Sequence, residues 1–215
     1  MRRIKALIAC EFSGVVRNAF NAYHEVEAIS VDLLPPEDGR TDCHWQSNVL
    51  NVLNYGWDAM IAFPPCTFLA NSGVKHLYKD GRKENGINQE RWDEMQKAAE
   101  FFNLLLNADI PYKMLENPIQ HRHARKLIRK YDQIIQPHQF GHLEQKATCI
   151  WLEGLPKLKP TKNVYAEMMR LPKNKRERVH YASPSDDRWM ERSRTLPGIG
   201  NAIAEQYVPF LIKAF

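Results

Sequence analysis

The stretch Ala59-Met60-Ile61-Ala62-Phe63-Pro64-Pro65-Cys66-Thr67-Phe68 opens as an unbroken apolar run and then stops abruptly. A short run that is apolar at every position reads as a strand buried on both faces, the kind found inside parallel sheets. Pro64 and Pro65 end it, because neither has an N–H to donate to a sheet ladder. The cysteine that follows is expected at the mouth of the sheet, on backbone stiffened by two prolines. In open α/β sheets ligands bind outside the carboxyl ends of the strands, so Cys66 falls where chemistry is expected.

Toward the amino end, Ala6-Leu7-Ile8-Ala9-Cys10 reads as another buried strand, Glu11-Phe12-Ser13-Gly14 as a turn, and Val15 to Tyr23 as a helix. Strand, small-residue turn and helix form the opening unit of a Rossmann-like fold. The turn is expected to offer free helix N–H groups to a polar ligand. Val26 to Val31 reads as the second strand, ending at Asp32. An acid there is where nucleotide-type cofactors have their ribose hydroxyls bound, although a turn or cap residue has the same signature. Asn48 is expected just past a short strand and before a helical turn.

Toward the carboxyl end, Thr67 to Asn88 has little periodicity and reads as a loop of about 20 residues, a length typical of lids and binding loops. Gln89 to Ala108 is the clearest helix, with Trp92, Met95, Ala99, Phe102, Leu105 and Leu106 at core spacing. Tyr112 to Leu115 is a strand followed by Glu116-Asn117-Pro118. His121 to Tyr131 reads as a helix with Ala124, Leu127 and Ile128 inward. Gln133 to Gln136 and Ala147 to Leu152 are short strands. Gly154 to Asp187, rich in proline and basic residues, reads as extended, and Gly198-Ile199-Gly200-Asn201 introduces a last helix over Ala202 to Ala214. The pattern predicts one α/β domain over 1–215, with a single mostly parallel sheet flanked by helices and a basic, loop-rich insertion at about 154–195.

A formal net charge of +5 permits a polyanionic partner, and the basic residues crowd into Lys157 to Arg194. No apolar run approaches the ~20 residues that span a bilayer, so no membrane is expected and a cytoplasmic location is. Cys10, Cys43, Cys66 and Cys149 form no C-x-x-C pair. Neither they nor His121, His123, His138 and His142 match a metal-ligand spacing, so no metal is expected. Cys10 and Cys149 read as packing residues.

A cysteine and a glutamate at neighbouring strand ends suit a pyrimidine. Sulfur adds to C6 while a carboxyl group hydrogen-bonds or protonates the ring nitrogen, so that charge reaches C5. In this respect the chain resembles the DNA (cytosine-5) methyltransferases, and in wording their small phage-type members. Pro64-Pro65-Cys66 resembles their nucleophile motif. Glu116-Asn117-Pro118 resembles their Glu-Asn-Val motif, with proline for valine. Leu196-Pro197-Gly198-Ile199-Gly200-Asn201-Ala202 resembles their late segment that folds back onto the cofactor site. Asp32 matches the acid after the second strand. The first motif keeps only Gly14, and Glu11 stands where the family favours glycine. Asn48 replaces an acid. The Gln-x-Arg-x-Arg motif is reduced to Gln145-Lys146-Ala147-Thr148-Cys149, leaving Lys146 or Thr148 to substitute for its base-holding arginine. The long target-recognition domain is replaced by the basic stretch alone.

The resemblance implies a Rossmann-like, S-adenosylmethionine-dependent methyltransferase fold acting on duplex DNA with the target base flipped out. It implies Cys66, Glu116 and Asn117 as catalytic residues, Asn117 orienting Glu116 or the base. It implies cofactor contacts at Cys10, Glu11, Phe12, Ser13, Gly14, Asp32, Leu33, Asn48, Pro64 and Asn201. Substrate contacts would come from Pro65, Asn71, Ser72, Gln145, Lys146, Lys173, Lys175 and Arg176. Two alternatives stand beside it: a C5-transferase acting on a pyrimidine nucleotide or modified base, and a catalytically inactive DNA-binding relative.

Overall fold

The computed structural model describes residues 2–181, 190 and 193–215. Among these, seven strands form one sheet: β1 (Ile4–Ala9), β2 (Val26–Asp32), β3 (His44–Gln46), β4 (Ala59–Ala62), β5 (Tyr112–Pro118), β6 (Gln133–Ile135) and β7 (Thr148–Glu153). Their order is β3-β2-β1-β4-β5-β7-β6. The first five are parallel, and β7 runs antiparallel between β5 and β6. The architecture is an α/β, Rossmann-like sheet flanked by helices.

The strand order explains where a site can form. From β1 the chain moves outward to β2 and β3, then returns across β1 to lay down β4 and β5. Right-handed crossovers made in opposite directions put their helices on opposite faces. Helix α1 (Val15–Asn21) packs Val16 and Phe20 on one face with the last helix, Pro197–Ala214. Helix α2 (Gln89–Leu106) packs Met95, Phe102 and Leu105 on the other. The loops after β1 and β4 therefore diverge and leave a crevice at their carboxyl ends. Ala9 pairs with Val31 on one side and Ala62 on the other, and Ala62 pairs with Leu115. One residue further along that register, Asp32, Cys10, Phe63 and Glu116 follow one another across four adjacent strands.

Four sequence expectations are corrected. Glu116 and Asn117 do not follow β5 but lie within it, because antiparallel β7 extends the pairing to Pro118. The expected helix His121 to Tyr131 is reduced to a 3-10 turn, Ala124–Lys126, and Leu127 is exposed. The chain turns there so that the Arg129 carbonyl can accept the indole N–H of buried Trp151 at 2.7 Å. The loop after Cys66 contains 3-10 turns at Asn71–Leu77, Lys79–Gly81 and Lys83–Asn85, organised around buried Leu69 and Leu77. The last helix begins at Pro197, so Gly198, Gly200 and Asn201 sit inside its first turns. Proline suits a helix's first position, where its missing N–H costs nothing.

The insertion is less extended than expected. It carries helical turns at Tyr165–Met169, Lys173–Arg176 and Arg178–Tyr181, anchored by buried Val164 and Met168. Residues 182–189 and 191–192 of it lie outside the described residues. No helix among the described residues is long and apolar enough to cross a membrane. No group of three or more His, Cys, Asp and Glu side chains that could hold a metal occurs among them either.

Candidate active site

Cys66 is half-buried, directly past β4. Its carbonyl accepts the N–H groups of Leu69 (3.0 Å) and Ala70 (2.9 Å), so the thiol stands at the start of a helical turn. The turn is held from three directions. From β5, Asn117 Nδ2 donates to the Pro64 carbonyl at 2.8 Å, inside the protein. From α2, Arg91 Nη2 donates to the Thr67 carbonyl at 2.8 Å, and its guanidinium lies 4.2 Å from the centre of the Phe68 ring. From the segment after β5, His121 Nε2 lies 3.0 Å from the Phe68 carbonyl. His121 Nδ1 accepts the Ala124 N–H at 3.1 Å, so the ring is neutral and carries its proton on Nε2. Burial, chiefly, lowers its affinity for a second proton.

Asn117 is thus a positioning residue for the Pro64–Cys66 loop. It does not share a face with Glu116, since successive strand residues point to opposite sides of the sheet. Its Oδ1 is buried with no hydrogen-bond partner among the described residues.

Glu116 lies on the β5 face shared with its β7 partner Ile150 and with Thr148. Burial raises its pKa, while the charge of Lys146 and a hydrogen bond with Thr148 oppose that rise. Thr148 Oγ1 also donates to the Lys146 carbonyl at 3.1 Å. A hydroxyl has one proton. That proton is shared between the Lys146 carbonyl and Glu116, and of the causes acting on Glu116 only burial favours its protonated form. Lys146 and Thr148, the two residues left where the family motif has its arginine, both border Glu116.

At the other end of the crevice, Asp32 is half-buried at the tip of β2, and Leu33 beside it is 71% exposed. Asp32 Oδ1 accepts the Leu34 N–H at 2.9 Å. Burial raises the Asp32 pKa, and the Asp32 charge adds to burial in pushing up the neighbouring Cys10 thiol. Cys10 holds φ 57°, a left-handed conformation uncommon for a residue with a side chain, and Gly14 holds φ 73°. Phe12 is buried, and Asn48 Oδ1 accepts the Leu50 N–H at 3.0 Å to cap its turn. Gly200 presses against α1, where an added Cβ would lie 2.7 Å from Val15 Cγ1, and Asn201 beside it is exposed.

One expectation at this end is overturned. The first N–H groups of α1 are not free. Glu11, only 3% exposed, accepts from Val16 N (2.7 Å) and Arg17 N (3.2 Å), and its Oε1 also takes the Ser13 hydroxyl at 3.3 Å. Glu11 is a built-in helix cap. A carboxylate there repels phosphate, which is the usual occupant of such a helix end.

The remaining candidates separate. Asn71 and Ser72 are exposed at the start of the 3-10 turn that follows Cys66, and exposed Pro65 precedes the thiol. Lys173 and Lys175 are exposed. The Arg176 carbonyl accepts the Gln145 N–H at 2.6 Å, which docks the basic insertion beside Lys146. Cys149 is fully buried and its thiol is pushed up to about 12, first by burial and then by Glu116. Arg91 and His121 were missed by sequence reading. His121 has no local signature. Arg91 had one: a cation in the first turn of a helix opposes the helix dipole and asks for a reason.

No protein-family model matches the sequence, and no curated protein matches it. Among solved structures, the chain is similar to the Entamoeba histolytica methyltransferase EhMeth at 11% identity and a TM-score of 0.45, over 76% of this chain and 58% of that one. The chain thus spans less than two thirds of that protein's length, and a likeness this distant adds nothing to what the sheet order itself shows.

Proposed function

We propose that the protein is an S-adenosylmethionine-dependent DNA cytosine-C5 methyltransferase. The carrying observation is the register of adjacent parallel strands β4 and β5, which sets the start of the Cys66 loop beside Glu116, itself bordered by Lys146 and Thr148. Adjacent strands lie about 4.8 Å apart, and Cys66 stands three residues beyond Phe63, the register neighbour of Glu116. One heterocycle can meet both groups.

The residues present fit the cofactor. The Glu11 cap disfavours a phosphate-bearing ligand, while Asp32 supplies an acceptor for ribose hydroxyls and carboxylate charge for a cationic one. Gly14, Asp32, Leu33 and Asn201 would hold it. Bound S-adenosylmethionine supplies an electrophilic methyl group. The chain's own residues do the rest. Cys66 thiolate forms a bond to cytosine C6 as Glu116 gives its proton to N3, so the C5–C6 π electrons become available at C5. After C5 is alkylated, its proton passes through a base to solvent. The C6–S bond then breaks with its electrons returning to sulfur, and N3 returns the proton to Glu116. Lys146 would hold the exocyclic oxygen. Arg91, His121 and Asn117 keep the thiol aimed throughout.

The test is transfer of radiolabelled methyl from S-adenosylmethionine into DNA, with dCMP as a parallel acceptor. Label is expected in DNA and lost in Cys66→Ala. Label in dCMP but not DNA would transfer the assignment to a nucleotide enzyme. Cofactor-independent DNA binding with no label in either acceptor would leave the inactive relative.

A further inference from the structure

The loop that begins at Cys66 encloses, on its outer side, a groove of about 670 Å³. Lys75, His76, Arg82 and Arg91 line it, and Tyr78 and Asn88 add polar groups. Its one acid, Asp80, accepts from Asn85 Nδ2 at 3.1 Å. The positive surface extends past the groove. Arg122 Nη2 donates to the Tyr78 hydroxyl at 3.3 Å, and that hydroxyl lies 3.0 Å from His123 Nε2. Burial, then the charges of Arg122, Lys126 and Lys83, make the His123 ring hard to protonate. Three separate segments thus bring cations to one face: the loop at 75–83, the start of α2, and residues 122–126. None of them belongs to the basic insertion that the sequence singled out.

We infer that this groove is a docking surface for the phosphodiester backbone of the nucleic acid that enters the Cys66 site, rather than the insertion serving alone. The inference rests on the proposed action on DNA and adds the surface that holds the polymer. Reach supports it. Lys75 is nine residues beyond Cys66. Even fully extended, nine residues span about 31 Å. That is about nine base steps at 3.4 Å each. The phosphates gripped here therefore lie within about one duplex turn of the target base. Their contact would also couple backbone binding to the position of the turn that Arg91 clamps.

The experiment measures binding to a labelled 20-base-pair duplex as a function of salt, for the full chain. Lys75→Gln with Arg82→Gln removes two exposed groove cations. Lys130→Gln with Lys213→Gln removes the same charge from exposed sites elsewhere. The groove variant is expected to bind at least tenfold more weakly at 0.1 M salt. Its log–log salt slope should be shallower by nearly 2, as two phosphate contacts at about 0.9 each require. The control should stay within about threefold. Wild-type binding with an unchanged slope in the groove variant, or an equal loss in the control, overturns the groove and leaves the proposed activity standing. Wild-type protein that binds neither the duplex nor its single strand overturns both.

Discussion

Replacing Asn117 by leucine isolates the most specific positioning claim. Leucine has nearly the branched shape of asparagine, so the packing at this fully buried site is largely kept. What disappears is the 2.8 Å hydrogen bond to the buried Pro64 carbonyl. Orphaning a buried acceptor costs about 1–3 kcal/mol. The change also removes Asn117 Oδ1, already without a partner among the described residues, which returns part of that cost. The net loss should be about 1–2 kcal/mol. For a chain of this length that lowers Tm by roughly 2–8 °C. If the bond aims the Cys66 turn, a similar energy is lost from the adduct-forming step, slowing it about 5–30-fold. The assay is covalent trapping on a duplex containing 5-fluorocytosine, with S-adenosylmethionine, well below the variant's Tm. The saturating rate should fall while the half-saturating DNA concentration holds. A lowered Tm with a wild-type trapping rate would refute the reasoning: the bond would then tie β5 to the loop after β4 without directing the thiol.

Arg91→Lys keeps the charge but loses the planar fork that donates to Thr67 while stacking on Phe68. The same trapping rate should fall about 5–30-fold, again a loss of about 1–2 kcal/mol, with little change in Tm. Glu116 acts protonated and burial raises its pKa, so activity should be present at lower pH and lost as pH rises through that raised value. Glu116→Gln should be slow at every pH and lack this alkaline limb, measured as label incorporation from pH 5 to 9. Burial opposes ionisation of Asp38, but hydrogen bonds from Asn18, Arg17 and the Arg40 N–H, with the charge of Arg17, outweigh it and hold the carboxyl at about 2. A lowered native pKa contributes stability above the unfolded value of about 3.9, lost as pH falls through 2. The Tm gap between wild type and Asp38→Asn should therefore shrink between pH 5 and pH 2. Gly200→Ala puts a Cβ 2.7 Å from Val15 Cγ1 and should cost about 1–3 kcal/mol, read as a lower Tm.

The sequence by itself determined the central buried strands, the helix over Gln89 to Ala108 and the punctuation after β4. Ala6 to Ala9 and Ala59 to Phe63 are apolar at every position, which only a doubly covered strand satisfies, and Pro64-Pro65 can end such a strand in one way. These are local facts, since dihedral limits and burial periodicity act over a few residues. Tertiary structure decided what depends on partners distant in sequence. Glu116 and Asn117 became strand residues because β7 paired with them. Leu127 turned outward because the Arg129 carbonyl was needed by Trp151. Glu11, placed by its motif beside a ligand, capped α1 because the buried helix N–H groups were the nearest donors to a buried carboxylate. Arg91 and His121 reached the Cys66 turn across 24 and 53 residues of chain. The energy of such contacts depends on which surfaces the whole sheet brings together, and no periodicity along the chain encodes that.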